Sequence, residues 1–362
     1  MRYIPFIVGL FLLYGSLNSC SEDPVKPCDT CKTPCDTCAP CDTCDTTKPT
    51  PSDTTSHDFI WTEYTIPTEV NLTGVYVHSD TEIFVIGSYM HRFDGKVWSR
   101  IDVRQEGTGR QLAFPDWTMF GLGSSDMWIV HGGIVDHYIG NSKAVEYREF
   151  GYTTACWGTS SSDMFFVGLN GMIVHFDGTK FTKMTSPTTK NLRSVWGISH
   201  NDVWASDANL STGETTILHY DGMSWKEDEL ALTGSARTSG LSATWSCDSA
   251  GSKFVTTSGA HVYRKTDNGL WRNDSTLVPN DLGGGTFVGI YLLSGNNAND
   301  FVGSGSWGWV GHWNGKSWKR YDELYNYSIL NYTSGGLSMK GNTICVVGLK
   351  SGKSWIAIGR RK

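Results

Sequence analysis

Apolar and polar positions recur along this 362-residue chain with a period of about 44 residues, from Phe59 to the C-terminus. Each copy opens on an apolar, usually aromatic residue, and passes through a polar turn into a four-residue apolar run. The best-preserved copies close on His-aromatic-Asp-Gly-x-x-Trp or a near variant of it. The clearest copy is Ser194 to Trp204, followed by Leu218 to Trp225. Aligned on the residue that opens the apolar run, the copies start at Glu82, Asp126, Asp163, Asp202, Ser252, Asp300 and Thr343, with spacings of 44, 37, 39, 50, 48 and 43. Tyr76, Phe120, Trp157, Trp196 and Leu337 stand six residues before their anchors, Trp245 seven and Tyr291 nine. The runs Ile83 to Ile86, Met127 to Val130 and Met164 to Val167 are too short for helices. They are rich in β-branched and aromatic side chains, so they predict strands. Asp94-Gly95, Asp177-Gly178, Asp221-Gly222 and Asn314-Gly315 fall between apolar segments and predict type I′ hairpin turns. An aromatic follows three residues after each Gly: Trp98, Phe181, Trp225 and Trp318. No helical periodicity of any length occurs in this region.

Each copy therefore holds about four short antiparallel strands, and units of this length and content predict the blades of an all-β, seven-bladed β-propeller spanning residues 58–362. The last copy, Gly336 to Lys362, supplies only three strands. The missing one stands at the other end of the domain, Asp58 to Tyr64, with Trp61 near the position where the repeat carries its Trp. The last blade is thus expected to be closed by the N-terminal strand, which would remove exposed sheet edges. An open β-array is the alternative. Most of the 15 Trp fall at repeat positions and predict packing between blades.

Residues 1–20 read as a targeting segment. Arg2 supplies a positive start, Ile4 to Tyr14 an apolar core, and Leu17-Asn18-Ser19-Cys20 follows. This resembles the bacterial lipobox, which implies cleavage before Cys20 and lipidation of its sulfur. An apolar core of this length is too short to span a bilayer, whereas several acyl chains together anchor a protein stably. An ordinary secretory signal or a short anchor is the alternative. Ser21-Glu22-Asp23 resembles the surface-export signal of Bacteroidota-like lipoproteins, and implies an outer-membrane protein exposed on the cell surface.

Residues 21–57 predict a disordered tether. The stretch to Asp58 holds no aromatic residue, six of the 11 Pro, and eight acidic against three basic side chains. Such a segment cannot bury enough apolar surface to offset its ordering entropy, and as a flexible coil it would span on the order of 35 Å. It carries three Cys-Asp-Thr-Cys units: Cys28 and Cys31, Cys35 and Cys38, Cys41 and Cys44. Paired Cys suits soft metals, but no His and no apolar core accompanies these. A repetitive spacer oxidised locally or between chains outside the cytoplasm is the main reading, with adventitious soft-metal binding and a dedicated metal or redox site as the alternatives. Asp45-Thr46-Thr47 and Asp53-Thr54-Thr55 resemble the O-glycan acceptor of Bacteroidota-like periplasms, which implies modification at Thr46 and Thr54. Cys156, Cys247 and Cys345 read as small buried strand residues.

The net charge of −6 lies almost wholly in the tether, so the propeller is near neutral and nucleic acid is not an expected partner. His137, His175, His219 and His312 share one repeat position. Blades radiate apart, so these four cannot meet on one ion, and each is expected to hydrogen-bond within its blade. Asp-Gly-x-x-Trp looks like the Asp-box of sialidases but lacks its Ser and the residue between Asp and Gly. Arg92, Arg104, Arg193, Arg264 and Arg320 share no register that could hold a carboxylate. No phosphate loop, G-x-S-x-G or H-E-x-x-H occurs. No catalytic residue and no cofactor is implied.

A binding surface remains. Propellers bind through loops around the central channel, expected here to be those after the inner strand and those between blades. The largest departures from the repeat are the insertion from Asp207 to Glu214, the Trp307-Gly308-Trp309 run, and the long connection from Val103 to Trp117. Trp307, Trp309, Asp207 and Trp117 are the candidate ligand-binding residues, since aromatic rings with a polar tip suit sugars or protein. Trp309 reads equally as a core strand residue. The repeat as a whole resembles bacterial propeller lipoproteins with Asp-Val-Trp-x-Val-Gly and His-Tyr-Asp-Gly-x-x-Trp units. The expected function is a membrane-anchored, non-catalytic module binding a protein or glycan of the envelope. A propeller enzyme acting on polysaccharide and a structural envelope scaffold are the alternatives.

Overall fold

The computed structural model describes residues 55–69, 71–113, 118–147, 151–207, 216–228, 241–249, 252–257, 262–265, 271–273, 290–297, 299–305, 308–324 and 336–362, all within one compact unit, Pro51–Lys362. The signal segment, Cys20, the six tether cysteines, Thr46 and Thr54 lie outside these residues.

The described strands form seven sheets. The fourth is typical: Leu192–Ser199, Asp202–Asp207, Ile217–Tyr220 and Trp225–Asp228, each antiparallel to the next. The seven anchor residues of the repeat are the first residues of the second strands, which begin at Glu82, Asp126, Asp163, Asp202, Ser252, Asp300 and Thr343. The first strand of each sheet touches the first strand of the next, and the circuit returns from Gly336–Lys340 to Gly74–Ser79. This is a β-propeller, with first strands innermost. The fifth sheet, from Leu241 to Asn273, is described mainly by its backbone; the others carry described side chains.

The repeat is written in four local interactions. In the sheets with described side chains, the apolar run of the second strand is buried on both faces, as in Asp163–Gly168 and Asp202–Asp207. The anchor carboxylate at its start accepts from the repeat His of the third strand. Nε2 of His137, His175, His219 and His312 lies 2.8, 2.7, 2.9 and 2.8 Å from Oδ1 of Asp126, Asp163, Asp202 and Asp300. The first sheet makes the same link with Arg92 and Glu82, at 2.6 Å. In two sheets the imidazole also covers the strand aromatic opposite it: His137 stacks on Trp128 at 4.0 Å and His219 on Trp204 at 3.9 Å. The inner aromatic of one sheet packs on an inner glycine of the next. A Cβ at Gly121 would lie 2.3 Å from the Tyr76 ring, and one at Gly197 2.4 Å from that of Trp157.

The Asp-Gly turns differ from the type I′ expectation. That turn needs positive φ at both central residues. Here only the glycines have it, with φ of 94° at Gly95, 89° at Gly178, 87° at Gly222 and 89° at Gly315. Asp sits one position earlier and acts through its side chain. Oδ1 of Asp94 accepts the amides of Lys96 and Val97 at 2.9 and 2.8 Å, and Asp177, Asp221 and Asn314 do the same. The motif is an Asx cap on a hairpin.

The seventh sheet is closed from the N-terminus. Phe59–Tyr64 pairs antiparallel with Lys353–Arg361, with Trp61 opposite Gly359. Its indole lies against that glycine, where a Cβ would stand 2.9 Å away, and meets Tyr321 edge-on at 4.9 Å. The domain begins slightly before the expected boundary. Residues 55–57, assigned by sequence to the tether, are bonded to the sixth sheet. The Thr55 hydroxyl donates to Asp300 Oδ1 at 2.9 Å, and His57 Nδ1 lies 2.9 Å from His312 Nδ1. Ionised Asp300 fixes the tautomers. His312 donates through Nε2, so its Nδ1 accepts from His57, whose Nε2 accepts from the Ser317 hydroxyl at 3.2 Å. Arg361 at the end of the closing sheet pairs with the same Asp300 carboxylate. Burial, with the neighbouring His312, lowers His57 to about 4. Burial also lowers His312, against the pull of Asp300.

Gly197→Ala should destabilise the domain by about 1–3 kcal/mol, because the Trp157 ring and the Asp202 carbonyl leave no space for a methyl group. Denaturant unfolding measures this, and an unchanged midpoint would show that the ring can yield. A second outcome concerns pH. Because folding depresses the His57 pKa, its stabilisation is complete above about 6.5 and is lost as pH falls towards 4. The melting temperature should therefore drop across that window, and His57→Ala should flatten the drop. Parallel pH profiles for both proteins would contradict this account of the seam.

Candidate binding face

Strand direction alternates within each sheet, so the loops sort by side. Turns joining first to second and third to fourth strands lie on one side of the ring. Connections from second to third strands, and links to the next sheet, lie on the other. The sequence expectation put loops after the inner strand and links between sheets on one face; they occupy opposite faces. All three departures from the repeat leave from the second side, since Asp202–Asp207 and Asp300–Gly305 end there and Val103 begins a link between sheets.

Two of the four candidate ligand residues are packing residues. Trp309 is 1% exposed. It fills a slot opened by Gly303 and Gly311, which pair across their strands; a Cβ at Gly311 would lie 2.4 Å from the indole. No face of the ring is left for a ligand. Asp207 is 2% exposed and ends its strand, its amide donating to Thr216 O at 3.0 Å. It closes the base of the insertion. Trp117 and Trp307 lie outside the described residues. The connection from Val103 does not stand free on the face in its first half. Arg104–Gln105 adds a fifth strand to the outer edge of the second sheet, parallel to Lys143–Tyr147, and Val103 and Leu112 are buried. Arg110 fastens it to Glu146. Cys156 and Cys345 are buried free thiols whose pKa burial pushes up.

A cleft that sequence reasoning missed opens on this side at the third sheet. Its volume is about 430 Å³, and it is lined by Gly151, Leu169, Asn170, Met172, Val174, Phe181 and Lys183. The floor is apolar: Met172 and Val174 are buried, and Phe181 packs on Phe176 at 4.3 Å and edge-on to Tyr147 at 4.7 Å. Among the described residues, exposed Lys183 provides the one charge in the lining. Tyr152, 56% exposed, stands beside Gly151. The upper wall is the turn Leu169–Gly171. Its backbone is pinned by Leu169 N to Tyr152 O at 2.9 Å, Asn170 N to Asn191 Oδ1 at 2.9 Å and Gly171 N to Lys190 O at 2.6 Å. Gly171 has φ of 69°, and a Cβ there would strike Thr188 O at 1.9 Å, so only glycine fits. A pre-formed apolar slot with one cation at its mouth suits an apolar side chain next to a carboxylate. The available sequence signal was Asn170-Gly171, a turn pair inside an otherwise regular copy.

No family model matches the chain, and no curated protein matches it. Solved structures do. "YCF48 bound to D1 peptide" superposes with a TM-score of 0.60 over 83% of this chain and 95% of that one, at 13% identity. "YCF48 from Cyanidioschyzon merolae" gives a TM-score of 0.60 over 82% and 98%, also at 13% identity. At this identity the likeness establishes the β-propeller fold.

Proposed function

We propose that this protein is a non-catalytic, protein-binding propeller whose seven sheets are its seven blades, held at a bacterial cell envelope by lipid on Cys20. The observation that carries the binding reading is the pre-formed cleft of the third sheet, on the side where the repeat is broken. An apolar floor of Met172, Val174 and Phe181 beside Lys183 matches a peptide segment bearing an apolar side chain and a carboxylate. The solved propeller with a D1 peptide supports this reading by analogy of fold. The anchoring reading rests on the sequence of residues 1–20. The acidic residues at 22 and 23 favour the outer surface, and the segment to residue 54 would serve as spacer. Trp117 and Trp307 are proposed as further contacts.

Full-length protein should capture acidic-apolar peptides from an array. Lys183→Glu should weaken that binding about tenfold, in line with the loss of a charge-assisted contact, without moving the melting temperature. Retained peptide binding in the variant would move the site elsewhere, and a glycan array that binds while peptides do not would replace protein by glycan. Separately, Cys20→Ala should release the protein from membranes. A variant that still sediments with membrane after a high-salt wash would end the anchoring proposal.

A further inference from the structure

On the opposite side of the ring, the third anchor differs from the others. Asp126 receives the repeat imidazole of His137. Asp202 receives His219 and the Trp204 indole N–H, and Asp300 receives His312, Arg361, Asn296 and Thr55. Asp163 receives two imidazoles. Nε2 of His175, on the third strand of its own sheet, and Nδ1 of His200, on the first turn of the fourth sheet, each lie 2.7 Å from the same oxygen, Oδ1. The three donor atoms lie within 4.8 Å of one another. The other oxygen, Oδ2, is held by the Thr159 hydroxyl, which fixes the plane of the carboxylate. Phe165 packs against His175 at 4.6 Å, while His200 is half exposed.

We propose that Asp163, His175 and His200 form a binding site for a divalent transition-metal ion of the zinc type, bridging the third and fourth sheets. Two imidazole nitrogens and one carboxylate oxygen are the ligand set such ions prefer, with a fourth position left to water. Metal–ligand bonds of about 2.0–2.2 Å place tetrahedral donors roughly 3.3 Å apart. The two imidazoles, now in hydrogen-bond contact with Oδ1, need to withdraw only by roughly 0.6 Å. His200 sits on a turn and is free on one side, so it can do so. The bonding change balances without an added reactant. Each neutral ring moves its proton to the other nitrogen, the vacated lone pair binds the ion, and the carboxylate exchanges two N–H donors for the cation. Thr159 is the positioning residue that orients the carboxylate. The repeat explains two of the three ligands; His200 is the addition, and it comes from the neighbouring sheet.

The test uses the full chain with Cys28, Cys31, Cys35, Cys38, Cys41 and Cys44 changed to Ser, so that tether thiols do not compete for metal. After chelator treatment it is titrated with Zn²⁺ by calorimetry at pH 7.5 and melted with and without the ion. One equivalent should bind and raise the melting temperature. His200→Ala should lower affinity by about 100-fold or more, as expected for losing one of three protein ligands. It should leave the metal-free melting temperature unchanged. His137→Ala, which removes the corresponding imidazole of the second sheet, should not change the affinity. No saturable binding, or binding that survives His200→Ala, would overturn the site.

Discussion

The structure depends on one strand pairing that joins the two ends of the domain. A long strand left unpaired is a sheet edge open to aggregation, and propellers keep only short, protected edges. Lys353–Arg361 would be such an edge without Phe59–Tyr64. Its six paired positions are reinforced by the packing of Trp61 on Gly359 and by Glu63 Oε2, which accepts from the Trp355 indole at 2.7 Å and Lys350 at 2.6 Å. The buried polar group around Asp300 extends the seam to the sixth sheet. Four segments distant in sequence converge there: Thr55 to His57, the anchor, the repeat His, and Arg361. Together they satisfy the buried Asp300 carboxylate, which makes the seam geometrically specific as well as cohesive.

The repeat shows how one local solution serves several sheets with different side chains. The requirement is a donor on the third strand reaching the anchor carboxylate on the second. His and Asp meet it in four sheets, and Arg92 with Glu82 in the first. Because that pair is structural wherever it recurs, function has to be sought where a copy adds something. The third sheet adds twice: the pinned turn at Asn170-Gly171 shapes a cleft on one side, and His200 reaches over from the next sheet on the other.

Where sequence reasoning missed, the cause was a cross-strand relation. Trp307-Gly308-Trp309 looks like an aromatic loop because Trp309 is out of register with the repeat. Burial of Trp309 follows from Gly303 and Gly311 facing each other, which is a fact of pairing between strands. Asp207 opens an insertion in the sequence, yet its backbone still belongs to the strand and bonds across to Thr216. The Asp-Gly turns were placed correctly, but the role of Asp was not, since the dipeptide alone does not say whether Asp lies inside the turn or caps it. Arg104–Gln105 lengthens the second sheet through a parallel contact with residues some 40 positions later, and no local periodicity encodes that.

The chain's own pattern determined the strands, the anchors that open each second strand, the His bond within four of the sheets and the need for a closing strand from the N-terminus. All of these arise from interactions within one period, or from a deficit at its end, and a period is legible in one dimension. Tertiary structure alone decided which side each loop occupies, which tryptophans are sealed, and which carboxylate gathers two imidazoles. Those outcomes depend on strand direction and on contacts between neighbouring sheets, where residues from different copies meet in combinations that no single copy contains.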